Sequence, residues 1–161
     1  MLFRSYSIFY TGSKAKAYNN LTRVVEIDIK SSAVILADYG SLTIAALSGQ
    51  SDDIYATVSG DSASGVTILK GEVVNTFNGT TQVNIAGGAV ITNTFGTVKI
   101  TATGGNKSNA AYLDYSGLGL GSDTDVKTDV TSNNTVSVNI GTTGSTQARI
   151  TGKNVTISAL M

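Results

Sequence analysis

The sequence predicts an all-β protein. Its body reads as a β-solenoid, parallel β-helix-like, with a β-sandwich or jelly roll as the alternative. Two observations carry the all-β reading: β-branched residues alternate with polar ones along much of the chain, and Gly-, Asn- and Ser-rich turn signals separate these stretches. A third is the absence of proline from all 161 residues, where about 5% is usual. Regular stacked strands avoid proline because each internal N–H is needed by a ladder.

In chain order, residues 13–19 have room for a helical turn or two. Val25, Ile27 and Ile29 then alternate with Glu26, Asp28 and Lys30, the period-2 pattern of a half-buried strand. Residues 31–38 form an apolar run that reads as a buried strand, because alternation precedes it and Gly40 follows. Val83 and Ile85 flank Asn84; Val98, Ile100 and Ala102 alternate with Lys99 and Thr101. Val136, Val138 and Ile140 alternate with Ser137 and Asn139, and Val155 and Ile157 flank Thr156. Turns are expected at Ser48-Gly49, Ser59-Gly60, Asn78-Gly79, Gly87-Gly88, Gly104-Gly105-Asn106, Ser116-Gly117, between Gly141 and Gly144, and at Gly152.

Composition divides the chain into an N-terminal docking arm, residues 1–21, and a β-rich body, residues 22–161. The arm holds Phe3, Tyr6, Phe9, Tyr10 and Tyr18, five of the 11 aromatics. It carries Arg4, Lys14 and Lys16, and the first acid is Glu26. Aromatics and arginine dominate interface energetics, so Phe3, Arg4, Tyr6, Phe9 and Tyr10 are the expected partner-docking residues. The bland reading of the same aromatics is that they cover the open end of the body's own core. The other terminus ends in Ala159-Leu160-Met161, an apolar end to a strand. An exposed apolar end on an open stack invites pairing, so Leu160 and Met161 are expected as oligomer contacts, in a trimer.

Formal charge is zero, with 11 basic and 11 acidic residues, which gives no reason to expect nucleic acid or an anionic membrane as partner. Only 14% of residues are charged, against about 25% in typical domains. The N-terminus lacks the unbroken apolar stretch of a signal peptide, since Arg4, Ser5 and Ser7 interrupt it. No run is long enough for a transmembrane helix.

With no His and no Cys, Ser-His-Asp and Cys-His catalysis are excluded, as are the usual zinc sites. No catalytic residue and no cofactor are expected, and the chain reads as a non-enzyme. Gly117-x-Gly119-x-Gly121 lacks the Lys-Ser/Thr of a phosphate loop and reads as a turn. Asp52 and Asp53 read as a solvated loop, since neighbours on a strand point to opposite faces and cannot pair across a cleft. Asp123, Asp125 and Asp129 are weak calcium candidates: carboxylates suit the ion, but the tandem copies of a calcium roll are missing.

The second half has a loose recurrence without exact repeats. Residues 96–104, 134–141 and 153–158 each have a Gly or polar entry followed by alternating β-branched residues. From Tyr112 to Leu160, with Ser116-Gly117-Leu118-Gly119 ahead of a polar coil and the Val136/Val138/Ile140 strand, the chain resembles the β-solenoid "head GIN" domains of bacterial adhesins. That resemblance implies a parallel β-helix and no catalytic residues. The overall organisation is similar to that of phage head-fibre, capsid-decoration and tail-fibre proteins. This second resemblance implies a structural protein at the virion surface that oligomerises and docks on a capsid or other shell protein through residues 1–21. The alternative is an adhesin-like or carbohydrate-binding module for a host-surface glycan. There Tyr112 and Tyr115 would offer stacking, although three residues apart on a strand they face opposite ways.

Overall fold

In the computed structural model, residues 2–6, 10–49, 53–63, 65–105, 108–118, 120–141 and 146–161 are described; for 2–6, 10–11, 13, 62–63, 67, 108, 115, 117–118 and 122 this covers the backbone alone. They form ten strands and no helix: β1 (Leu2–Tyr6), β2 (Tyr10–Ile29), β3 (Val34–Ala37), β4 (Ser41–Leu47), β5 (Asp53–Ala63), β6 (Val66–Ile85), β7 (Val90–Thr103), β8 (Ser108–Leu118), β9 (Gly121–Ile140) and β10 (Arg149–Leu160). The protein is all-β.

The strands pair in three sheets: β1-β5-β8, β2-β6-β9, and β10-β7-β3 with β4 also on β7. Pairing is parallel, as in Val34 opposite Val90 and Arg149 opposite Val90. Each partner is therefore more than 50 residues away in the chain, and each sheet collects one strand or strand pair from each successive third of the sequence. We call these thirds tiers: β1–β4, β5–β7 and β8–β10. Tier 2 is central in every sheet, and tiers 1 and 3 are terminal. Sandwiches and jelly rolls are built from antiparallel strands, and the parallel register departs from that alternative.

The chain divides into two compact units that cut across the tiers. Unit 1 comprises Met1–Leu21, Asp52–Asn78 and Asn106–Asn133; unit 2 comprises Thr22–Ser51, Gly79–Gly105 and Asn134–Met161. Residues 1–21, read from composition as a docking arm, form the first of the three segments of unit 1. Within it, Leu2–Tyr6 pair with β5, Ala15 is buried, and Asn19 donates to buried Asn75 at 3.0 Å.

Alternation decides the faces. In unit 2, Ile29, Ile44, Ala46, Val83, Ile85, Ile91, Val98, Ile100 and Ala102 point inward and form one buried cluster. In unit 1 the smaller cluster is Ala15, Ala56, Val58 and Val73, and Ile54, Leu69 and Phe77 are buried as well. Residues 13–19, expected as a helical turn, lie within β2: Ala15 and Ala17 face inward and Lys14, Lys16 and Tyr18 outward. A tier-to-tier parallel partner satisfies every second backbone group there, which outweighs the good helix propensity of Ala and Lys. Val34 and Leu36 are exposed, so β3 is half-buried rather than fully buried as expected.

The turns expected at Ser59-Gly60, Asn78-Gly79 and Ser116-Gly117 are instead strand interior. Those at Ser48-Gly49, Gly87-Gly88 and Gly104-Gly105 lie outside the strands, where β4, β6 and β7 have ended. The corner between β3 and β4 is the most constrained. Gly40 has φ of 77°, and its carbonyl accepts Thr97 N–H at 3.0 Å and the Asn93 amide at 3.1 Å. A Cβ on Gly96 would lie 2.0 Å from that oxygen, so only glycine fits.

Candidate functional site

The candidate site is the outward surface of the tiers and the edges of the two terminal ones. Because register is parallel, one residue type can repeat directly above itself, and the outward rows form ladders.

In unit 1 the ladder is charged. Lys14 and Lys16 of tier 1, Lys70 and Glu72 of tier 2, and Asp125 and Lys127 of tier 3 line a hollow of about 340 Å³. Lys16 ion-pairs with Glu72, and the Tyr18 hydroxyl donates to the same carboxylate at 2.8 Å. The hydrogen bond to Lys16, and then that to Tyr18, holds the Glu72 carboxyl below its ordinary value; the same Glu72 bond raises Lys16. Lys70 lies 3.8 Å from Asp125. Beside the charges runs an amide ladder: Asn133 donates to Asn78 at 3.0 Å, and Asn78 to Asn20 at 3.4 Å.

In unit 2 the corresponding row is acidic and amidic. Gln82 and Asn84 donate to Glu26, Asn84 also donates to Asp28 at 3.0 Å, and Asn139 donates to Asn84 at 2.8 Å. Lys30 donates to Asp28 at 2.8 Å, and this bond, then that from Asn84, lowers the Asp28 carboxyl from its ordinary value. On another face Tyr39 and Phe95, both exposed, stack with ring centroids 5.2 Å apart and planes at 20°. Sequence reasoning did not single out this pair; the signal was their spacing, which equals the Val34–Val90 register step.

The last feature is apolar. Tier 3 repeats the inward positions of tier 2, yet Val126, Val130, Ile140, Val155 and Ile157 remain exposed. In the column Ile44–Ile100–Ile157 the exposures are 9%, 0% and 46%.

The sequence-predicted residues fall as follows. Phe3, Arg4 and Tyr6 sit on β1 opposite Gly60, Asp61 and Ala63, and Tyr10 opens β2. Phe9 lies outside the described residues. Asp123, Asp125 and Asp129 are exposed on β9 at alternate positions of one face. Asp125 has Lys70 as neighbour, and among the described residues no three acidic groups gather to hold a metal ion. Asp53, expected in a loop, starts β5, while Asp52 lies outside the described residues. Leu160 and Met161 are exposed, and the Leu160 carbonyl accepts Gly104 N–H at 3.0 Å. Tyr112 is exposed opposite Thr57, and Tyr115 is opposite Gly60.

No protein-family model, curated protein or solved structure matches this chain. No helix among the described residues is long and apolar enough to cross a membrane.

Proposed function

We propose that the chain is a three-turn parallel β-solenoid segment and a non-enzymatic structural component of a virion surface, as in a head fibre, tail fibre or decoration protein. It associates with copies of itself, and the copy at the base of the assembly meets the shell through tier 1, which includes residues 1–21. The observation that carries this reading is the tier-to-tier repetition: inward apolar columns recur from tier to tier, and outward amide and charge ladders run along the β2-β6-β9 sheet. A surface spent on self-repeating ladders suits a shaft or a seal. Rigidity comes from parallel pairing and from columns such as Leu42–Val98–Val155.

The test is immunogold labelling of particles released from cells that carry the gene. Gold on particle surfaces is the expected result. Gold on the cell envelope with bare particles would replace this reading by the adhesin-like one. That second reading has one observation in its favour, the exposed Tyr39–Phe95 stack, because sugar rings bind on aromatic faces. It requires that glycan binding by the chain be lost in Tyr39→Ala.

A further inference from the structure

We propose that copies of this chain stack head to tail, the tier 1 edge of one copy seating on the tier 3 edge of the next. The inference rests on the solenoid reading above and names the partner as a second copy.

Charge complementarity points to this partner in each unit separately. In unit 1, the tier 1 segment 1–21 carries Arg4, Lys14 and Lys16 and no acid. The tier 3 segment 106–133 carries Asp114, Asp123, Asp125 and Asp129 against Lys107 and Lys127. In unit 2 the signs are reversed at both edges. Tier 1 segment 22–51 has Glu26, Asp28 and Asp38 against Arg23 and Lys30, and tier 3 segment 134–161 has Arg149 and Lys153 and no acid. Setting tier 1 on tier 3 therefore opposes unlike net charge in both units, whereas setting either tier on its own copy within a unit opposes like charge.

Individual columns agree. Lys14, Lys70 and Asp125 share one hollow, with Lys70 already 3.8 Å from Asp125. The next copy's Lys14 takes the same relation to Asp125 from the other side. The amide ladder donates from Asn133 to Asn78 to Asn20, so the next copy's Asn20 amide donates to the Asn133 carbonyl and extends it. Lys153, between Gly152 and Asn154, occupies the corner that Asp38 and Tyr39 occupy in tier 1, so Lys153 meets Asp38. One pair is unfavourable: Lys127 meets Lys16, with Asp125 and Asp129 beside it on the same strand face.

The apolar positions match as well. Ile150, Val155 and Ile157 of tier 3 receive Ile35, Leu42 and Ile44 of tier 1, the pairing each already makes with Ile91, Val98 and Ile100. Parallel strand addition satisfies the ladder groups of the terminal strands at the same time. Such a contact is heterologous and does not close on itself, so it grows filaments in which each copy adds about 14 Å, three strand spacings.

The experiment is sedimentation velocity with negative-stain microscopy on the full chain, over a wide concentration range. Open-ended growth into filaments is expected. Lys14→Asp and Asp125→Lys each turn an attraction into a repulsion and should raise the concentration needed for growth about tenfold. The double variant, or an equimolar mixture of the two singles, should restore it, which also shows that the singles fold. A species of fixed size at all concentrations, monomer or closed trimer, overturns stacking, as does growth indifferent to both substitutions. A closed trimer that still labels particle surfaces sinks the stacking and leaves the structural role. Filaments without particle labelling do the reverse.

Discussion

At the scale of single residues, two positions show how much the tiers demand of local chemistry. Gly96 is the first. Its missing Cβ leaves room for the Gly40 carbonyl, which two hydrogen bonds fix in place, and Asn93 crowds the same space at 2.6 Å. Gly96→Ala should therefore destabilise unit 2 by about 2–3 kcal/mol, as overpacking against fixed backbone does. Urea unfolding is the measurement, and an unchanged midpoint would show that the corner can open. Glu72 is the second. Its carboxyl lies below its ordinary value of 4.5 because Lys16 and Tyr18 bond the ionised form. A lowered acid contributes stability above its unfolded value, lost as pH falls through the folded one. Lys16, raised above 10.5 chiefly by the same Glu72 bond, contributes below that value and loses its share as pH rises through the folded one. The pair therefore acts across the neutral range between them. Removing the ammonium with Lys16→Met should move the Glu72 titration midpoint upward, toward 4.5, in an NMR pH series. A midpoint that stays put would assign the shift to Tyr18.

At the scale of elements, a strand's value depends on its tier. Ile100 on β7 has Ile44 and Ile157 on either side of it, whereas Ile157 on β10 has a neighbour on one side. Ile100→Ala should cost about 2–5 kcal/mol and Ile157→Ala about half as much in the isolated chain. Equal losses in denaturant melts of dilute protein would mean that β10 is covered on both sides. The strands themselves were legible: Val25/Ile27/Ile29, Val98/Ile100/Ala102 and Val136/Val138/Ile140 announce their faces by alternation. Of the recurrent stretches noted in sequence, 96–104 and 153–158 are true neighbours, pairing Val98 with Val155. Residues 134–141 belong to a different sheet. The long repeat stayed hidden although Ala33-Val34-Ile35, Ala89-Val90-Ile91 and Ala148-Arg149-Ile150 mark it. Its period exceeds 50 residues, and tier 3 breaks register twice, by extra residues before Ala148 and by a shortened corner at Gly152–Asn154. Ladder residues such as Lys16, Glu72 and Asn78 could not be singled out without that period, because an exposed polar residue acquires meaning only from what lies above and below it.

At the scale of the whole molecule, the interleaving of three chain segments in each unit has consequences for folding. Every sheet pairing joins residues more than 50 apart, so long loops close before contacts form, and folding in milliseconds to seconds is expected of such topology. It also changes the role of residues 1–21. Their composition suggested a docking arm, and they supply one of the three segments of unit 1. Removing them takes away buried Ala15, the Asn19 bond to Asn75 and the Lys16–Glu72 pair, and uncovers the edges of β5 and β6. Asn75 itself bonds the carbonyls of Ile54 and Ala110, so the loss reaches tiers 2 and 3 of the same unit. In the chain 22–161, hydrogen-exchange protection should fall in residues 53–63 and 108–118 and persist in residues 83–102, whose core lies in unit 2. Full protection of 53–63 in the truncated chain would return residues 1–21 to the status of a detachable docking arm. Loss confined to unit 1 would mean instead that shell attachment through tier 1 cannot be separated by truncation from the stability of that unit, and has to be probed by surface substitutions such as Lys14→Asp.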